Sequence, residues 1–87
     1  MKLKKEFQLA PMGEEYVLVP TGTAAEQFHG VVRLNQTAGF IVRCLERDTT
    51  SEAIVAALLD HYEVERATAE PNVAAILEKL REIDALC

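Results

Sequence analysis

This 87-residue chain has four histidine or cysteine side chains, the types that most often ligate zinc or pair as nucleophile and base: His29, His61, Cys44 and Cys87. A structural zinc site needs four such ligands, delivered as pairs a few residues apart, and no two of these stand at that spacing. Cys44 and Cys87 form a lone, distant pair. In a chain without a visible secretory signal they imply reduced thiols and a cytoplasmic setting rather than a disulfide framework. Cys44 suits a small, half-buried position. His61 falls near the end of a helical pattern, at the negative end of the helix dipole, a structural role. Asp60 and Glu63 beside it read as a solvated helix end, not as a general acid–base pair. The sequence thus calls for no catalytic residue, no metal and no cofactor, and its function is expected to be binding.

Composition narrows what is bound. The chain is one domain's length, and 49% of its residues are hydrophobic, enough to fold rather than stay disordered. Its net charge of −5 would repel nucleic acid unless a local basic patch existed. The one candidate, Lys2, Lys4 and Lys5, is short and terminal and reads as a solubilising end. The first twelve residues lack an apolar signal-peptide core, and no apolar run approaches the roughly 20 residues of a membrane span. Neither nucleic acid nor a membrane is therefore an expected partner.

The elements that position the rest follow from residue pattern. Glu6–Ala10 alternates, with Phe7 and Leu9 on one side, and Pro11, Met12 and Gly13 break it. Glu14–Val19 is a β-branched and aromatic run, so the two stretches predict a hairpin. Pro20–Gln27 reads as a loop. Phe28–Leu34 is the third strand, with Phe28, Gly30, Val32 and Leu34 on one face and His29, Val31 and Arg33 on the other. A mixed second face is typical of an edge strand. Asn35 has the character of a helix N-cap, and Ala38, Ile41, Val42 and Leu45 form one stripe of a helix running to about Arg47. Thr49 and Glu52 fit a capping box that opens a second helix burying Ile54, Val55, Leu58 and Tyr62. The third helix is expected to be capped by Thr68, because Pro71 is tolerated only in a first turn, and to bury Val73, Leu77 and Leu80. Strands segregated from helices give an α+β domain, a three-stranded antiparallel sheet followed by three helices.

Two surfaces stand out. On the third helix, Ile76 and Ile83 lie to one side of the core stripe, edged by Asn72 and Lys79. They either pack on the sheet or wall a groove that is apolar at its floor and polar at its rim. On the first helix, Phe40 points almost opposite to Ala38, Ile41 and Leu45. Either another helix covers it or it is an exposed anchor for a protein partner.

Read together, GVVRLNQTAGFIVRCLE, TTSEAIVAALLDHYEVE and NVAAILEKLREIDAL resemble the PqqD family over nearly the whole chain, with EEYVLVP as the second strand. The junction Gly30–Val31–Val32–Arg33–Leu34–Asn35 is the most specific piece. The family consists of small proteins of pyrroloquinoline quinone (PQQ) biosynthesis, and its fold recurs as the recognition element for precursor peptides that are made on the ribosome and then modified. The resemblance implies a winged helix-turn-helix-like fold and no catalysis. It implies a peptide chaperone that binds the leader segment of a precursor peptide as an added strand beside the third strand, in the groove formed with the third helix. The partner is then a modifying enzyme, such as a radical S-adenosylmethionine (radical SAM) protein. Carried onto this sequence, the peptide-binding residues are His29, Gly30, Val31, Val32, Arg33 and Leu34 on the strand. On the helix they are Asn72, Ile76, Lys79 and Ile83. Pro71 departs from the family's usual acidic or polar residue, which puts the upper end of the groove in question.

Elementary physics favours the same site. An edge strand offers unpaired N–H and C=O groups that an extended peptide satisfies, each bond contributing roughly 0.5–1.5 kcal/mol net. Gly30 would permit either close backbone approach or a local twist. Arg33 would pair with an acidic leader residue or stay solvated, and His29 and Arg33 would discourage the edge from pairing with itself. Two other classes compete. A winged-helix DNA-binding regulator needs a basic recognition helix, whereas the second and third helices are rich in glutamate and aspartate. A dimerisation module would pair edge strands between copies. The expected state is a monomer or weak dimer.

Overall fold

The computed structural model describes residues 1–27 and 30–87. Strand β1 (Phe7–Met12) and strand β2 (Glu15–Pro20) form an antiparallel hairpin in which Phe7 faces Pro20 and Met12 faces Glu15. Gly13 turns the chain with φ of 64°, a conformation glycine adopts without a Cβ penalty. Pro11, expected to end the strand, instead lies within it. It can do so because β1 is an edge, where a missing N–H breaks no ladder.

A helix not expected from the sequence, α1 (Thr23–Gln27), follows within the stretch read as a loop. Its signal was present in the helix formers Ala24, Ala25, Glu26 and Gln27. Strand β3 (Val32–Leu34) then pairs antiparallel with β2, Leu18 facing Val32 and Tyr16 facing Leu34, and the sheet order is β1-β2-β3. The strand is shorter than the expected Phe28–Leu34. Gly30 has φ of 121°, which interrupts the extended run, and Phe28 and His29 lie outside the described residues.

Helix α2 (Gln36–Cys44) is capped by Asn35, whose side-chain oxygen accepts from the Ala38 amide at 2.8 Å, as expected. It stops short of Arg47, closing with turn bonds from the Leu45 and Glu46 amides to Val42 and Arg43, and the freed Leu45 carbonyl accepts from the Leu3 amide at 2.8 Å. Helix α3 (Ser51–His61) is capped by Thr50, not Thr49, through a bond from the Ala53 amide. Thr49 is engaged elsewhere. Its amide donates to the Met1 carbonyl at 2.8 Å, and its carbonyl accepts from the Met1 ammonium at 2.7 Å.

Helix α4 (Arg66–Glu82) begins after Glu65, three residues earlier than a Thr68 cap requires, and Pro71 sits inside it. The early start buries Ala69 completely and extends the stripe of Val73, Leu77 and Leu80 by one turn. That added apolar contact offsets the one backbone bond Pro71 removes. Both ends of the described chain are tied down, with Leu3 bridged to Leu86 and Lys4 paired with Asp84 at 3.0 Å.

The core lies between the sheet and the helices. Leu18, Ile41, Leu45, Ile54, Leu58, Leu80, Val42 and Val73 are its fully buried large side chains. Gly39 lets sheet and helix approach. A Cβ there would drive into the Tyr16 ring, over which the Arg43 guanidinium sits at 5.5 Å. This contact explains a glycine inside a helix, where it costs about 1 kcal/mol relative to alanine.

Candidate functional site

The sheet has two outer edges, and β3 is one of them. Its side chains sort as the period of two demands: Val32 and Leu34 are buried, whereas Arg33 is exposed. Val32 and Leu34 therefore meet an incoming chain with backbone groups only. Arg33 offers its side chain, held weakly by Glu15 at 3.7 Å in a pair that is solvent-exposed on both sides. Such a pair contributes about 0–1 kcal/mol and is easily exchanged for another carboxylate. Just before the strand, Val31 is 51% exposed, the most exposed large hydrophobic residue among those described. Gly30 has open space where a Cβ would stand, so its conformation and not crowding selects glycine here.

Helix α2 makes the floor. Both β3 and α4 pack on α2 rather than substantially on each other, so a groove runs between the strand edge and the α4 flank. At the end of β3 this groove deepens into a cleft of about 210 Å³ lined by Asn35, Thr37, Ala38, Ile41, Asn72, Ala75 and Ile76. Ala38 and Ile41 are buried, Ile76 is half-buried and Asn72 is exposed. The result is an apolar bottom with an amide at the rim.

The structure thus divides the predicted helix flank. Asn72 and Ile76 line this cleft, whereas half-buried Ile83 caps the far end of α4 in a second cleft beside α1, and exposed Lys79 stands between the two. Thr37 and Ala75 were missed as lining residues. Small side chains carry no periodic signal of their own, and only the crossing of α2 and α4 brings these two together. His29 lies outside the described residues. Phe40 is not a free anchor. Its ring stacks on His61 with centroids 4.7 Å apart and meets the Tyr62 edge at 5.6 Å, which half-buries it between α2 and the end of α3.

Among the described residues no cluster of three or more His, Cys, Asp or Glu side chains could hold a metal ion. The Cys44 thiol is pushed up from its ordinary pKa by burial, which favours its protonated form. Among the described residues no helix is long and apolar enough to cross a membrane.

Together, the open strand edge and the helix-walled groove are the features of a small α+β binding scaffold. The family model for coenzyme PQQ synthesis protein D (PqqD) matches residues 15–86, everything from β2 onward, and the chain belongs to this family. Two solved structures are similar across nearly the whole fold. One is TbiB1 in complex with the TbiA(beta) leader peptide. It is 27% identical with a TM-score of 0.77, over 99% of this chain and 94% of that one. The other is lasso peptide synthetase B1 complexed with the leader peptide. It is 30% identical with a TM-score of 0.71, over 93% of this chain and 89% of that one. No curated protein sequence matches the chain.

Proposed function

We propose that this protein binds the leader segment of a ribosomally made precursor peptide and presents it to a modifying enzyme, performing no catalysis itself. The observation that carries this reading is the unpartnered outer edge of β3, opening onto a groove walled by α4 and floored by α2. It is supported by family membership and by two similar folds solved with leader peptides. The leader adds as a fourth strand beside Val32–Leu34, so that main-chain bonds supply affinity and are indifferent to sequence. Choice comes from the flanks: Val31, Arg33, Asn72 and Ile76 read the alternate side chains. The modifying enzyme, such as a radical SAM protein, then meets a leader already held extended. This saves it part of the entropic cost of ordering a flexible chain.

The test is fluorescence anisotropy with the labelled leader segment of a candidate precursor peptide, sought among the genes neighbouring this one. Saturable binding without the enzyme is expected, weakened by Ile76→Asp in a variant whose circular dichroism is unchanged. A folded wild-type protein that leaves the labelled leader tumbling freely would overturn the proposal.

A further inference from the structure

The flank of α4 is longer than the strand beside it. Asn72 and Ile83 are about 16 Å apart along the axis of α4, whereas the three residues of β3 span about 10 Å. The surplus lies at the Val32 end. Leu18 faces Val32 and Phe7 faces Pro20, so β3 begins at the end of the sheet where β1 starts and β2 finishes. There a cleft of about 560 Å³ opens between α1 and the end of α4, lined by Lys4, Glu6, Phe7, Thr23, Ala24, Gln27, Glu82, Ile83 and Asp84. Its apolar surface is Phe7, Ala24 and Ile83. Among the described residues its carboxylates are Glu6, Glu82 and Asp84, and its one cation, Lys4, is already paired with Asp84 at 3.0 Å. Glu6 holds the chain only through its backbone carbonyl, which accepts from the Thr21 amide and hydroxyl, and its side chain makes no hydrogen bond or ion pair among the described residues.

Continuing from the proposed leader site, we infer that this cleft takes a lysine or arginine of the leader lying just beyond the strand-paired stretch at the Val32 end. A long cationic side chain fits both halves of the lining. Its methylene stem covers Ile83, Phe7 and Ala24, and its head remains wet against Glu6 and Glu82. α1 thereby becomes a specificity element at the end of the groove, setting which leader register is accepted.

The experiment measures leader dissociation constants at low and high salt for the wild type, Glu6→Gln/Glu82→Gln and Ala24→Trp. The probes are the neighbouring leader and copies in which each lysine or arginine is replaced by norleucine. The double variant is expected to weaken binding by about two- to fivefold at low salt. That loss should vanish at high salt and for one particular norleucine peptide. Ala24→Trp, which fills the cleft without touching its charges, is expected to weaken the unmodified leader but not one truncated before that residue. Wild-type binding that no cleft variant changes would overturn this inference and leave the strand-addition reading intact. A loss shared equally by every norleucine peptide would also overturn it, since it would indicate only general electrostatic attraction. Absence of wild-type binding would instead remove the reading on which the inference rests.

Discussion

The two edges of the sheet differ in the opposite sense from their lengths. β1 offers six residues to a neighbouring strand and β3 only three. Yet β1 carries Pro11, which cannot donate, and the cleft beside it is lined by Lys2, Lys4 and Lys5. Lysines and proline are the usual devices by which an edge strand resists pairing. Among the described residues the β3 edge has one guard, Arg33, loosely tied to Glu15, and beside it lie an exposed valine and a helix-walled groove. A docking edge is therefore marked by what flanks it rather than by how many backbone groups it exposes.

The comparison is broken most completely by damaging the strand the two edges share. Leu18 on β2 is fully buried, and Leu18→Ala is expected to cost about 2–5 kcal/mol of stability in urea unfolding, removing both edges together. A smaller loss is expected from Gly39→Ala. Helix propensity alone would stabilise by about 1 kcal/mol, but the methyl meets the Tyr16 ring and pushes the sheet off the groove's floor. The net is a destabilisation of about 1–3 kcal/mol, read as a lowered melting temperature. An increase would mean that Tyr16 moves aside freely.

A matched pair sharpens the contrast without disturbing the fold. Val31 and Met12 are both exposed hydrophobic residues, one beside each edge. Val31→Asp is expected to weaken leader binding about tenfold, near 1.4 kcal/mol. Met12→Asp should leave it unchanged, and both variants should keep stability within about 0.5 kcal/mol. Equal effects would erase the distinction between the edges. The smallest effect concerns the thiols. Burial raises the Cys44 pKa, whereas Cys87 is exposed, its Sγ donating to the Lys2 carbonyl on the β1 side. A thiol reagent should therefore react first at Cys87, with a fast phase that Cys87→Ser abolishes. Bound leader should leave that phase unaltered.

The elements legible in the sequence were those with strong periodicity or punctuation: the hairpin around Gly13, the Asn35 cap, and the buried stripes Ala38–Ile41–Val42 and Val73–Leu77–Leu80. Misplaced boundaries coincide with contacts distant in sequence. Leu3 binds the Leu45 carbonyl where α2 has already ended, Met1 occupies Thr49 and moves the α3 cap to Thr50, and burial of Ala69 accompanies the passage of α4 through Pro71. The flank of Asn72, Ile76, Lys79 and Ile83 was readable as one face of a helix. Its division between two clefts was not, because the second cleft depends on α1, a five-residue helix too short to show a periodic signal.

The central claim, that β3 and not β1 receives the peptide, is tested most directly by a nitrogen–proton NMR titration of the labelled protein with the neighbouring leader segment. The account predicts large shifts along Gly30–Asn35 and on α4 from Asn72 to Ile83, with the amides of Gln8, Leu9 and Ala10 on β1 unmoved. Shifts concentrated on β1, or a folded protein whose spectrum does not change at saturating peptide, would contradict it.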